Sequence, residues 1–138
     1  QVSLKFTLNI KQRLAFLLWV SVRMGSNDRE PFRLIIGGPG GTGKSHLYDA
    51  IKFFYRSLKI DHEIAFTAPT GISASNIGAS TTASFLSLRT PYSQLAKRNS
   101  TTVKKIITRL DSVKSLVIDK FFFLGCEDFH KISKHLNL

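Results

Sequence analysis

The sequence predicts an α/β fold, a three-layer sandwich with a mainly parallel sheet between helices. Three observations predict it. Short apolar runs at Phe32-Arg33-Leu34-Ile35-Ile36, Glu63-Ile64-Ala65-Phe66-Thr67 and Ser115-Leu116-Val117-Ile118-Asp119 have the length and branching of buried strands. The segments between them carry apolar residues at spacings of three and four, the period of a helix packed on one face. A glycine-rich loop joins the first run to the first of those helices, so strands and helices alternate, as a parallel sheet requires.

Residues 1–9 show no period and read as irregular. Asn9 is a natural N-cap for a helix that begins around Ile10, Lys11 and Gln12. Leu14, Phe16, Leu17, Leu18, Trp19, Val20 and Val22 make that helix apolar nearly all round. It is therefore expected to pack under the sheet or against a partner. Gly25-Ser26-Asn27-Asp28 reads as a loop, and Pro31 introduces the first strand. After the glycine loop, Leu47, Ile51, Phe54 and Leu58 mark one helical face.

Residues 59–62 form a turn into the second strand, which closes on Ala68-Pro69-Thr70-Gly71. A short helix follows through Ile72 and Ile77. Residues 78–101, rich in Ser and Thr, read as a long loop with one helical turn at 84–88. Val103, Ile106, Ile107 and Leu110 define the next helix, and Phe129, Ile132 and Leu136 the last. Phe121, Phe122 and Phe123 read as core. In such a sheet, ligands bind at the carboxyl ends of the strands.

The chemistry concentrates in Gly37-Gly38-Pro39-Gly40-Gly41-Thr42-Gly43-Lys44-Ser45. From Gly38 onward this fits G-x-x-x-x-G-K-[ST], the phosphate-binding loop. Charged phosphate oxygens need many donors in a small space. Glycines let the backbone curl so that N–H groups point inward, and the N-terminus of the next helix adds partial positive charge. Lys44 is expected to reach the β- and γ-phosphates of ATP, and the Ser45 hydroxyl to sit on Mg²⁺. The plainer alternative is a glycine-rich turn between strand and helix.

Composition narrows the partners. The chain has 138 residues, enough for one domain with a core. Twenty Lys+Arg against nine Asp+Glu give a formal charge of +11, which suits a polyanion such as nucleic acid or nucleotide, or else an inert basic surface. The single Cys126 excludes an internal disulfide and favours a reducing compartment. The longest apolar run, 14–20, is too short to cross a bilayer. Lys5, Lys11 and Arg13 with no small-residue cleavage site argue against a signal peptide. The first residue is Gln1 rather than Met, so a fragment is expected.

Four segments then occur in order: Leu8-Asn9-x-x-Gln12, the glycine loop, Thr67-Ala68-Pro69-Thr70-Gly71-Ile72-Ser73-Ala74-x-Asn76-Ile77, and Leu116-Val117-Ile118-Asp119. Together they resemble the first motor domain of a Pif-type superfamily 1 DNA helicase, most like the copies carried by Helitron transposons. The Thr-Ala-Pro-Thr-Gly segment carries most of the specificity. The resemblance implies a RecA-like P-loop ATPase, with ATP hydrolysis coupled to 5′–3′ DNA unwinding in repair, recombination and telomere maintenance, and a nuclear location. It divides the chain into 1–31, a helix with an adenine-reading glutamine region, and 32–138, a partial ATPase domain.

Carried over by position, Gln12 resembles the adenine-reading glutamine, with a solvated helix residue as the alternative. Pro69, Thr70 and Gly71 resemble the segment that touches the single-strand DNA backbone, with an ordinary strand-to-helix turn as the alternative. Asp119 resembles the carboxylate that holds Mg²⁺, with a strand-terminal cap as the alternative.

The departures matter too. The family follows its aspartate with a glutamate, its general base, whereas Asp119 is followed by Lys120-Phe121-Phe122-Phe123. A charged lysine cannot accept the proton of an attacking water. A family histidine appears here as Ala83. The resemblance places a glutamine sensor, a second motor domain and an arginine finger beyond the last residue given. Weak or absent hydrolysis is therefore expected. A decayed, non-catalytic nucleic-acid-binding remnant is the alternative. A nucleoside kinase or loader ATPase is disfavoured by the segment at 67–72.

Overall fold

A computed structural model describes residues 2–25, 32–91, 93 and 101–137. The expected loop at 26–28, the entry at Pro31 and part of the 78–101 segment lie outside the described residues. The chain divides into two compact units, Gln1–Asp61 and His62–Leu138.

In the first unit, α1 (Val2–Lys5) precedes α2 (Ile10–Met24) and α3 (Lys44–Ser57). The N-terminal residues expected to be irregular thus begin with a helical turn. It is held to α3 by ring contacts: Phe6 lies 5.8 Å from the His46 ring and 5.5 Å from Phe53. The Lys5 ammonium sits 3.9 Å from the centre of the Phe53 ring, a cation–π contact.

Helix α2 starts where Asn9 can cap it and ends at Gly25. It buries Phe16, which meets Phe54 edge-on at 6.0 Å and 90°. Trp19 donates from Nε1 to the Tyr55 hydroxyl at 3.3 Å. Of its other apolar residues, Trp19 and Val20 are half-buried, while Leu14 is 68% exposed and Leu17 49%. Helix α3 follows its sequence pattern more closely. Leu47, Ala50, Ile51 and Tyr55 are buried, while Leu58 falls past the helix end and is exposed.

The expected first strand is not one. Residues 32–39 join no ladder among the described residues, and Phe32 and Ile35 are exposed. An apolar run of five has strand propensity, but a strand exists only when a neighbour takes its hydrogen bonds.

The second unit is built on a parallel sheet of three strands among the described residues, in the order β2-β1-β3. A 3₁₀ turn at Asp61–Glu63 leads into β1 (Ile64–Ala68). Then come α4 (Gly71–Asn76), β2 (Ser80–Thr81), α5 (Thr82–Phe85), α6 (Thr101–Leu110), β3 (Ser115–Ile118), a 3₁₀ turn at Phe121–Phe123, and α7 (Cys126–Leu136). Strand β1 pairs Thr67 with Ser80 on one side and with Ile118 on the other.

Being central, β1 holds Thr67 and Ala68 at 0% exposure. The Lys114 ammonium pairs with Glu63 at 3.0 Å, and the Lys114 N–H donates to the Glu63 carbonyl at 2.8 Å, aligning the entries of β1 and β3. Val103 and Ile106 of α6 are fully buried with Leu110 packed on them, as their spacing predicts.

Two expectations fail in this unit. Phe122 and Phe123 are 65% and 63% exposed rather than core. A 3₁₀ turn has three residues per turn, so three consecutive rings spread around its axis and cannot share one inward face. In α7, Ile132 is buried as expected, but Phe129 and Leu136 are exposed, and the second buried residue is His135. A polar ring can occupy that position because its Nδ1 is 2.7 Å from the Leu86 carbonyl and so finds a hydrogen-bond partner inside.

Candidate nucleotide site and the strand-end carboxylate

The glycine loop ends in two left-handed glycines, Gly41 at φ 75° and Gly43 at φ 82°. Side chains there would be strained, so only glycine lets the chain curl into α3 at this point. The curl turns carbonyls toward Lys44. Its ammonium donates to the Gly38 carbonyl at 2.7 Å, to that of Pro39 at 2.8 Å, and more weakly to Thr42 Oγ1 at 3.4 Å. The Thr42 hydroxyl donates in turn to the Pro39 carbonyl at 2.9 Å.

Gly43 is the N-cap of α3 and supplies no side-chain cap. The first amides of the helix are therefore not claimed by a capping side chain, and the helix dipole adds to their pull on an anion. A Cβ built on Gly37, Gly40 or Gly41 would meet nothing within 4 Å, so the loop faces open space at these three positions. Ser45 lies exposed on the first turn. Uncapped amides, an ammonium held by neutral oxygens, and room for phosphate oxygens together fit a triphosphate tail.

Gln12 is drawn into the same loop. Its backbone N–H donates to Asn9 Oδ1 at 2.9 Å, and its Oε1 accepts from the Asn9 N–H at 2.9 Å, a reciprocal capping box. Its Nε2 donates to the Gly43 carbonyl at 3.0 Å and reaches that of Thr42 at 3.4 Å. The sequence named Gln12 as a candidate but gave no signal of this contact, which joins residues 31 apart.

The other candidates sit in the second unit. Asp119 follows β3 and is buried, with its N–H donating to the Thr67 carbonyl at 2.8 Å. Pro69, Thr70 and Gly71 follow β1. Since β1 and β3 run parallel, these residues and Asp119 share the carboxyl end of the sheet. Connections leave β1 for β2 on one side and return to β3 on the other, which makes this end a switch point, where open α/β sheets form a crevice.

The Thr70 hydroxyl is turned onto its own helix. It accepts from the Ser73 N–H at 3.3 Å and donates to Ser73 Oγ at 3.0 Å, capping α4. Lys120 holds a left-handed φ of 51° and starts the turn of phenylalanines. Ala83 lies half-buried in α5.

Magnesium would find no protein cage here. Among the described residues no group of three His, Cys, Asp or Glu could hold a metal ion. A bound magnesium ion usually keeps several waters and takes one or two protein oxygens beside the phosphates of its ligand.

Sequence reasoning missed a buried hydroxyl chain beside Asp119. Thr82 Oγ1 donates to Thr67 Oγ1 at 3.1 Å, and Thr67 Oγ1 donates to the Val117 carbonyl at 3.2 Å. The alternation in β1 offered the only hint, by placing a polar Thr67 beside the buried Ala68.

No helix among the described residues is long and apolar enough to cross a membrane. A family model described as PIF1-like helicase matches residues 7–137. No curated protein and no solved structure matches the chain.

Proposed function

We propose a function from one premise: the chain belongs to the PIF1-like helicase family. On that premise it is a RecA-like, ATP-dependent DNA motor domain that binds MgATP through residues 38–45 and touches single-stranded DNA through Pro69, Thr70 and Gly71. The observation that carries the reading is Lys44 folded across the loop carbonyls at the uncapped N-terminus of α3. An arriving phosphate exchanges those neutral carbonyl partners for a charged one, and charge-assisted bonds are roughly twice as strong as neutral ones.

When bound, magnesium neutralises phosphate charge and orients the terminal phosphoryl group. Ser45 and Asp119 are the residues proposed to hold it. Resemblance further suggests 5′–3′ unwinding, a place in DNA repair, recombination or telomere maintenance, a nuclear location and a Helitron-like ancestry.

Hydrolysis in this chain is proposed to be weak. Lys120 stands where the family carries its general base, and an ammonium cannot take the proton from water. The test is phosphate release with and without single-stranded DNA, beside a titration of MgATP. Binding should be retained and turnover should stay well below about 1 s⁻¹. A DNA-stimulated rate above that value would refute the reading of Lys120. Lys120→Glu should raise the rate.

A second reading, a nucleic-acid-binding remnant without catalysis, draws support from the exposed Phe122 and Phe123, whose ring faces could stack on bases. It predicts DNA affinity that needs no nucleotide and falls as salt rises. Affinity that ignores salt, or is absent, would reject it.

A further inference from the structure

Asp119 is the first residue past β3, and it has little room to choose its own place. It is 7% exposed, so the backbone beside it, more than rotation of the side chain, sets where its carboxylate lies. On one side Lys120 turns to a left-handed φ of 51° and starts the turn of phenylalanines. On the other side the ladder ends, with Ile118 opposite Thr67 of β1.

Thr67 grips that end twice. Its carbonyl accepts from the Asp119 N–H at 2.8 Å, and its hydroxyl donates to the Val117 carbonyl at 3.2 Å. One residue of the central strand therefore holds β3 on both sides of Ile118. The Val117 carbonyl can only accept, so Thr67 commits its one hydroxyl hydrogen there. Thr82 must then be the donor to Thr67, at 3.1 Å. Thr67 is at 0% exposure and Thr82 at 1%, so water does not compete for these bonds.

Thr82 is anchored in turn. It opens α5, and the far end of that helix is bonded to two other elements. Arg109 Nη1 of α6 donates to the Ser84 carbonyl at 3.0 Å and to that of Phe85, and the His135 ring of α7 meets the Leu86 carbonyl at 2.7 Å. The hydroxyl that orders Thr67 thus belongs to a helix fixed at both ends.

We propose that Thr67 is a positioning residue for the Asp119 carboxylate, with Thr82 setting the direction of its hydroxyl. The inference rests on the reading that Asp119 holds magnesium beside the phosphates of ATP. Groups that orient a metal-binding side chain govern metal affinity nearly as much as the side chain itself.

The experiment measures ATP affinity of the full chain by calorimetric titration, once in EDTA and once in saturating magnesium. The ratio of the two is the magnesium enhancement. Wild type is compared with Thr67→Val, Thr67→Ser, Thr82→Val, Asp119→Ala and the double variant Thr67→Val with Asp119→Ala. Circular dichroism confirms that each is folded. Thr67→Val should cut the enhancement by roughly tenfold, a loss typical of residues that orient a metal ligand, and leave the affinity in EDTA unchanged. Thr67→Ser keeps the hydroxyl and should restore most of the loss. Thr82→Val removes one hydrogen bond of the chain and should cut the enhancement by roughly two- to tenfold. In the Asp119→Ala background, Thr67→Val should add nothing, because the group it acts through is gone.

An enhancement unchanged in Thr67→Val would overturn the proposal, as would a loss in EDTA as large as the loss in magnesium. If Thr67→Val does not fold, an unchanged enhancement in Thr82→Val overturns it instead. A full Thr67→Val effect in the Asp119→Ala background would do the same. An enhancement untouched by Asp119→Ala alone would overturn the placing of magnesium on Asp119, and the positioning role with it.

Discussion

Thr67→Val tests the buried hydroxyl chain that ties the central strand to β3 and to the start of α5. The substitution keeps the branched shape and removes a single polar atom. That atom donates to the Val117 carbonyl at 3.2 Å and accepts from Thr82 at 3.1 Å, and Thr67 is at 0% exposure. Two hydrogen bonds of about 1 kcal/mol each disappear, and the Thr82 hydroxyl is left buried without its acceptor, which adds about 1–2 kcal/mol. The expected loss is about 3–4 kcal/mol.

Urea denaturation followed by far-ultraviolet circular dichroism reads it directly. With a slope of about 2 kcal/mol per molar, the midpoint should fall by roughly 1.5–2 M. The double variant Thr67→Val with Thr82→Val removes the stranded donor, so it should be less destabilised than the sum of the two single changes by about 1 kcal/mol or more. A Thr67→Val midpoint within about 0.2 M of wild type, or strict additivity in the double variant, would refute the coupling.

Three further outcomes are expected. Lys44→Ala should remove MgATP binding by a hundredfold or more in a titration, on the order of the 3 kcal/mol that a charged hydrogen bond can contribute, and leave the helical signal intact. Thr70→Ala should lower stability by about 1 kcal/mol in a denaturant titration, because the hydroxyl that accepts from Ser73 caps α4. Lys120→Gly should raise stability by up to about 1 kcal/mol in the same assay. Glycine relieves the left-handed φ of 51°, and its greater freedom when unfolded offsets part of that gain.

What could be read from the residues was local. The phosphate loop, the cap at Asn9, the faces of α3 and α6 and the two later strands depend on neighbours within a few positions, where spacing and side-chain chemistry decide the backbone. Thr70 was singled out as a candidate, although its visible task in the fold is a helix cap.

What spacing left open was everything that depends on a partner distant in sequence. The run at 32–36 has strand composition but no ladder, since pairing is settled by the neighbour and not by the run itself. Strand β2 was invisible, because two residues of Ser and Thr become a strand only beside β1. Phe122 and Phe123 look like core in one dimension, yet a three-residue turn cannot aim consecutive rings inward. Gln12 meets Gly43, and Thr82 meets Thr67, only because helices and strands pack. The sequence by itself determined the glycine loop and the lysine and serine that follow it. The tertiary structure alone decided which hydrogen bonds those residues already make, because burial and pairing join residues that no local period connects.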